Sequence, residues 1–296
     1  MALLERAISS PGFQERFFFL AKRFVAGETV DSAIEAVKAL NADGLTATLD
    51  FLGEDVFQVD EARASAEQTL RTVEAVDRAG VDANLSLKLT ALGLSIDENL
   101  AAEHVSQIAA RAARNRDPFV RIDMEGSGVL DATLRAFERV YAQHRNVGIV
   151  LQSYLHRTER DVEWALGLGA RVRIVKGAYK EPPSIAYKDM AEIRRSYLRA
   201  ARELLTRGNY PAIATHDLSL IEAVKRMTAE CGISKDRFEF QLLYGLRPET
   251  QRALVREGYR VRVYVPFGTH WAGYFYRRLA ERKENVFFVL GSLLRK

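Results

Sequence analysis

With 296 residues, 48 % of them hydrophobic and 28 % charged, the chain has the balance of a core-forming globular protein, which excludes a disordered or fibrous class. Forty-three Lys and Arg against 39 Asp and Glu leave a net charge of +4, too small to mark a nucleic-acid surface and compatible with a mild attraction to anionic lipid or an anionic ligand. The single cysteine, Cys231, excludes an intrachain disulfide and a Cys-rich zinc site, and the five histidines lack H-x-x-x-H spacing, so no metal is expected.

In chain order, residues 1–43 read as an N-terminal arm of two or three helices, with Phe17-Phe18-Phe19-Leu20 followed by Phe24 and Val25. This Phe cluster predicts a helix sealing the bottom or side of the fold, with membrane docking or self-association as the alternative. From residue 44 onward short β-branched runs alternate with amphipathic stretches. The predicted strands are Leu45–Phe51, Asn84–Leu89, Phe119–Asp123, Val147–Gln152, Val172–Lys176, Ala212–Thr215, Phe238–Leu242 and Val261–Val265. Helices are predicted between them, for example over Glu61–Ala79, Leu100–Arg114, Leu130–Gln143, Glu159–Leu168, Met190–Arg207 and Ser219–Glu230. Two more follow the last strand, over Thr269–Arg282 and Asn285–Leu294. Eight strands alternating with helices predict parallel βαβ units closed into a (β/α)8 barrel of the TIM type, so that 44–296 form the barrel. No apolar run reaches the roughly 18 residues of a membrane span. The start carries Glu5 and lacks the plan of a signal peptide. A soluble cytoplasmic protein is expected, with peripheral membrane contact at most.

Barrel strands are covered on both faces and should read as nearly continuous aliphatic sequence. Here Ser86 and Lys88 alternate with leucines, Arg121 and Asp123 with Val120 and Ile122, Arg171 and Arg173 with Val172 and Ile174, and Arg260, Arg262 and Tyr264 with valines. The period of two turns the polar set into the barrel, where charge is costly unless paired or ligand-bound. Polar groups also gather late in the strands, at Lys88, Asp123, Gln152, Lys176, Thr215-His216, Gln241 and Tyr264. That is the rim where barrels of this type do chemistry. No G-x-G-x-x-G or Walker A loop is present. Lys88 and Lys176 at strand ends leave a Schiff-base lyase open as an alternative, as does a non-catalytic flavin- or amino-acid-binding barrel.

In order, the chain carries S-L-K-L-T-A-L-G from Ser86, R-I-D-M-E from Arg121, V-L-Q-S-Y from Val150, R-I-V-K-G-A-Y from Arg173, A-T-H-D from Ala214, E-F-Q-L-L-Y-G from Glu239, Y-V-P-F-G-T-H from Tyr264 and R-R-L-A-E from Arg277. This set resembles the proline dehydrogenase family, in its monofunctional bacterial form, over nearly the whole chain. The resemblance implies a distorted barrel whose last helix lies over the mouth, and FAD held without a Rossmann fold. It implies hydride transfer from C5 of L-proline to flavin N5, yielding 1-pyrroline-5-carboxylate, with electrons passed to a membrane quinone. Carried over by position, Arg277 and Arg278 would clamp the proline carboxylate, with Lys88 a second cation and Asp123 its partner acid. Tyr264, Leu243 and Tyr274 would wall the ring, and Arg173 would lie beside flavin N5. Met124, Gln152, Val175, Lys176, Gly177, Ala178, Thr215, His216 and Gln241 would contact FAD. Glu54 would pair with a flavin-side arginine and gate the substrate. The stretch His270–Gly273 departs from the commoner family pattern.

The chemistry suits these residue types. Adjacent arginines project about 100° apart on a helix, and Glu281, four and three residues on, shares their face and can hold them. A fixed cation at Arg173 would stabilise charge that develops on the acceptor.

Overall fold

The computed structural model describes residues 21–275. Eight parallel strands close in sequence order, with β8 pairing back onto β1. They are β1 (Thr46–Phe51), β2 (Ala83–Leu87), β3 (Val120–Ile122), β4 (Val147–Gln152), β5 (Arg171–Val175), β6 (Ala212–Ala214), β7 (Glu239–Leu243) and β8 (Arg260–Phe267). Each sits within two residues of its expected place. Lys88, Asp123, Lys176 and Thr215, expected late in their strands, lie one step beyond the ends of β2, β3, β5 and β6.

The helices are α1 (Val30–Ala42), α2 (Val59–Ala79), α3 (Glu98–Ala112), α4 (Ser127–Gln143), α5 (Thr158–Leu168), α6 (Met190–Arg207), α7 (Leu218–Glu230) and α8 (Pro248–Arg256). Their apolar faces cover the outward aliphatic residues of the strands, with Val73 and Val76 of α2, Val105 and Ile108 of α3 and Phe137 and Val140 of α4 all in one continuous core. Aspartates start three of them: Asp97, Asp189 and Asp217 accept hydrogen bonds from the first free backbone N–H groups of α3, α6 and α7. The short α8 was not singled out by the periodicity. It begins with Pro248 at its first turn after Arg247 in a left-handed conformation, and spans only nine residues.

The slot between β8 and β1 is filled by α1, which packs against both strands. The chain after β8 is thereby free to turn over the mouth. Residues 271–275 are helical and Trp271, Ala272, Tyr274 and Phe275 pack with Ala21, Phe24 and Val25, with Leu52 beyond β1 and with Leu246 beyond β7. All of these lie at the carboxyl ends of the strands. The described part of the Phe-rich segment therefore seals the mouth, correcting the expectation of a bottom or side seal. The reason is geometric: Ala26 N–H donates to the Pro266 carbonyl and Gly268 N–H to the Gly27 carbonyl, tying this segment to the top of β8. Phe17–Leu20, Arg277, Arg278, Glu281 and the expected Asn285–Leu294 helix lie outside the described residues.

Gly245 makes this approach possible. Its φ is +71°, and a Cβ there would sit 1.6 Å from the Arg23 carbonyl oxygen. Gly245→Ala is expected to cost about 2–4 kcal/mol through backbone strain and forced displacement. The check is thermal unfolding together with limited proteolysis, where cleavage near residues 21–27 should accelerate before the barrel itself is cut.

Candidate active site

At the carboxyl end of the barrel a cavity of about 760 Å³ opens, a size typical of cofactor and substrate sites. Every described residue expected in the site lines it except Glu54: Lys88, Asp123, Arg173, Tyr264, Leu243 and Tyr274 of the set expected around substrate and flavin N5, and Met124, Gln152, Val175, Lys176, Gly177, Ala178, Thr215, His216 and Gln241 of the set expected around a cofactor. Glu54 lies on the β1–α2 loop, where its charge acts on buried Glu125.

Asp123 is the hub on one wall. Its Oδ1 accepts from Arg173 Nη1 at 2.6 Å and from Ser86 Oγ at 2.7 Å, and its Oδ2 accepts from Tyr264 Oη at 2.7 Å. Burial alone would raise its carboxyl, but the Arg173 and Lys88 cations and these donors outweigh burial and hold it below the usual carboxylate range. Burial and the neighbouring Asp123 charge keep the Tyr264 phenol far above its ordinary value, so it is a neutral donor.

Lys88 was expected to pair with Asp123, which stands 3.9 Å away. Its tighter partner is Asp50, whose two oxygens lie 2.8 and 2.9 Å from Nζ. Burial would lower Lys88, yet the carboxylates of Asp50 and Asp123 prevail and hold it charged above its ordinary range. Asp50 was missed, although Thr46, Thr48 and Asp50 alternate with Ala47, Leu49 and Phe51 and the period of two already turns it inward.

A second cationic group also lines the cavity. Lys176 Nζ and Arg194 Nε donate to Asp217 Oδ2 at 2.7 and 2.8 Å. Burial pushes the Asp217 carboxyl up, but those bonds and one from Ser219 bring it well below its ordinary value. Arg194 and Asp217 come from helix starts, where strand patterning gives no signal. Gly177, with φ at +118°, follows Lys176; a Cβ there would strike the Tyr154 ring at 2.3 Å, so the backbone can turn this close only without one. His216 Nε2 accepts from Leu243 N–H at 2.9 Å, which fixes a neutral ring protonated at Nδ1.

Among the cavity-lining residues, the buried atoms Gln152 Oε1, Arg173 Nη2 and Arg247 Nε have no hydrogen-bond partner. Gln152 is fixed through Nε2, which donates to the Met124 and Glu125 carbonyls. Orphans of this kind are costly unless a ligand meets them. Below the cavity, Arg262, Glu239 and Gln241 continue the polar core toward the strand amino termini, where a second cavity of about 570 Å³ lies. The departure at His270–Gly273 has a structural account: Trp271 is fully buried and packs edge-on to Phe275, while Tyr274 reaches the cavity.

A raised Lys88 contributes stability present below its unfolded value near 10.5 and lost only above that; a lowered Asp123 contributes stability present above 3.8 and lost below it. The cluster therefore stays charged between mildly acidic and alkaline pH. Tyr264→Phe, which removes a donor to a charged acceptor, should cost on the order of 1.5–3 kcal/mol. Chemical denaturation should find this deficit constant from about pH 6 to 9 and shrinking below about pH 4 as Asp123 protonates.

The proline dehydrogenase family model matches residues 33–290. Proline dehydrogenase 1 of Bacillus subtilis subsp. natto is 43 % identical over 276 residues, covering 93 % of this chain and 91 % of the relative. Proline dehydrogenase of Deinococcus radiodurans is 41 % identical over 287 residues, covering 95 % and 92 %. Among solved structures, proline utilization A (PutA) of Bdellovibrio bacteriovorus, inactivated by N-propargylglycine, superposes with a TM-score of 0.82 at 25 % identity, over 88 % of this chain and 32 % of that longer one. On a closed barrel with this mouth, and with matches of this extent, the chain belongs to the proline dehydrogenase family.

Proposed function

We propose that this chain oxidises L-proline to 1-pyrroline-5-carboxylate with FAD and passes the electrons to a membrane quinone, as the first step of proline breakdown. The observation that carries the reading is the pair of cationic groups in one cavity, Lys88 and Arg173 beside Asp50 and Asp123, and Lys176 and Arg194 around Asp217. The first suits a small carboxylate and the second a pyrophosphate.

The residues present fit a flavin. Lys176 and the backbone at Gly177 and Ala178 would hold its pyrophosphate, while Gln152 Oε1 and Arg173 Nη2 offer an unmet acceptor and donor for a polar ring system. Met124, Val175, Thr215, His216 and Gln241 would complete its surroundings. Bound FAD supplies the acceptor for the hydride leaving proline C5. Arg173, buried and fixed by Asp123, would place positive charge beside the flavin as negative charge develops there. Tyr264, Leu243 and Tyr274 would exclude water from the pyrrolidine ring. Lys88, held charged, disfavours the ammonium form of proline and so favours the neutral amine whose C5 can give up hydride. Arg277 and Arg278, with Glu281 four and three residues on in the sequence, would clamp the carboxylate, and Glu54 would gate entry. Among the described residues no helix is long and apolar enough to cross a membrane.

The charged state of Lys88 counts against a Schiff-base lyase, which needs a lysine brought below its ordinary range. Purified protein should be yellow and should bleach under anaerobic L-proline with release of 1-pyrroline-5-carboxylate. A flavin that proline leaves oxidised would mark a non-catalytic binding barrel, and a colourless chain trapped on substrate by borohydride would mark the lyase.

A further inference from the structure

Beneath the cavity, a file of one-way hydrogen bonds runs along the barrel axis. Arginine side chains only donate, ionised carboxylates only accept, and an amide does one at each end. Arg262 Nε donates to both oxygens of Glu239, at 2.9 and 3.1 Å. Gln241 Nε2 donates to Glu239 Oε1, and Gln241 Oε1 accepts from Arg173 Nε at 2.5 Å. Arg173 Nη1 then donates to Asp123. Burial would raise the Glu239 carboxyl, but the Arg262 charge and the Gln241 bond overcome it and keep Glu239 ionised.

The orientation of Gln241 follows from Glu239. With a carboxylate on one side, only the NH2 end can face it, so the carbonyl must face Arg173. Nε and Nη1 of Arg173 are thereby fixed, its planar guanidinium has one orientation, and the partnerless Nη2 is held at the cavity wall. Glu239 is itself 2 % exposed and does not line that cavity.

We propose that Glu239 is a positioning residue for the redox step: through the Gln241 amide it aims the Arg173 guanidinium at the flavin. This rests on the flavoenzyme reading above. With Glu239→Gln the 241 amide is free to turn over, Arg173 Nε then meets an NH2 group, and the guanidinium loses its fixed plane. Lys88 keeps its own partner, Asp50, and Lys176 its own, Asp217, so substrate and flavin binding have no reason to collapse.

The test compares three variants of the flavin-loaded enzyme: Glu239→Gln, Gln241→Leu, and the swap Glu239→Gln with Gln241→Glu. In Glu239→Gln the rate constant for flavin reduction by proline should fall roughly 10- to 100-fold. Proline Kd should move by less than about threefold, and the flavin midpoint potential should become more negative. Gln241→Leu leaves the Arg262–Glu239 pair in place and should show the same pattern. The swap should recover most of the rate and potential, because a carboxylate at 241 can only accept from Arg173. If Glu239 mattered only as the counter-charge of Arg262, the swap would be as impaired as the single variant. That result overturns the proposal, as does a wild-type rate and potential in Glu239→Gln. A wild-type flavin that proline fails to reduce contradicts the functional reading instead, and the potentials of the variants still report on the positioning role.

Discussion

A charged carboxylate set inside a barrel is sustainable only if strong donors meet both its oxygens, and Asp123 meets that condition with donors from three other strands. Ser86 comes from β2, Arg173 from β5 and Tyr264 from β8. The hub ties β3 to both sides of the barrel and sets a cation, a phenol and a guanidinium around one point at its mouth. The same low-dielectric surroundings that make an unpaired charge so costly make this completed set rigid. Removing one partner leaves another uncompensated, so the cluster behaves as a unit.

The polar file below it explains why so many arginines occupy barrel-interior positions. Arg121 donates to the Arg171 and Ile149 carbonyls, Arg262 to Glu239, Asp117 and the Ala47 carbonyl, and Arg173 to Gln241 and Asp123. Long, permanently charged forks fill a barrel as aliphatic side chains would, and they carry fixed direction as well. Through Gln241 the floor of the barrel is hydrogen-bonded to Arg173 at its mouth.

The alternation of aliphatic and polar residues was enough to read the eight strands, the inward face and most cavity-lining residues, because a closed barrel leaves each strand only two environments. Asp50 and Glu239 obey the same alternation in β1 and β7 and were legible in principle. Arg194, Asp217 and Arg247 were not, since they line the cavity from helix starts and loops, whose direction depends on tertiary packing. Lys88 shows a different limit: sequence pointed to a carboxylate partner, yet the choice between Asp50 and Asp123 is decided by the register of β1 against β2, which pairs Asp50 with Ser86. Sealing of the mouth by residues near Phe24 was likewise invisible, because it depends on where α1 sits in the ring.

If Asp123 organises the site, its charge and not merely its shape must matter to the chemistry. The most direct measurement is the anaerobic rate of flavin reduction by L-proline in Asp123→Asn, with flavin content and unfolding midpoint recorded on the same sample. The expected result is a folded, flavin-loaded protein whose reduction rate falls by about two orders of magnitude or more, because Arg173 loses the charged acceptor that fixes it. A folded, flavin-loaded variant that proline reduces at the wild-type rate would contradict the account.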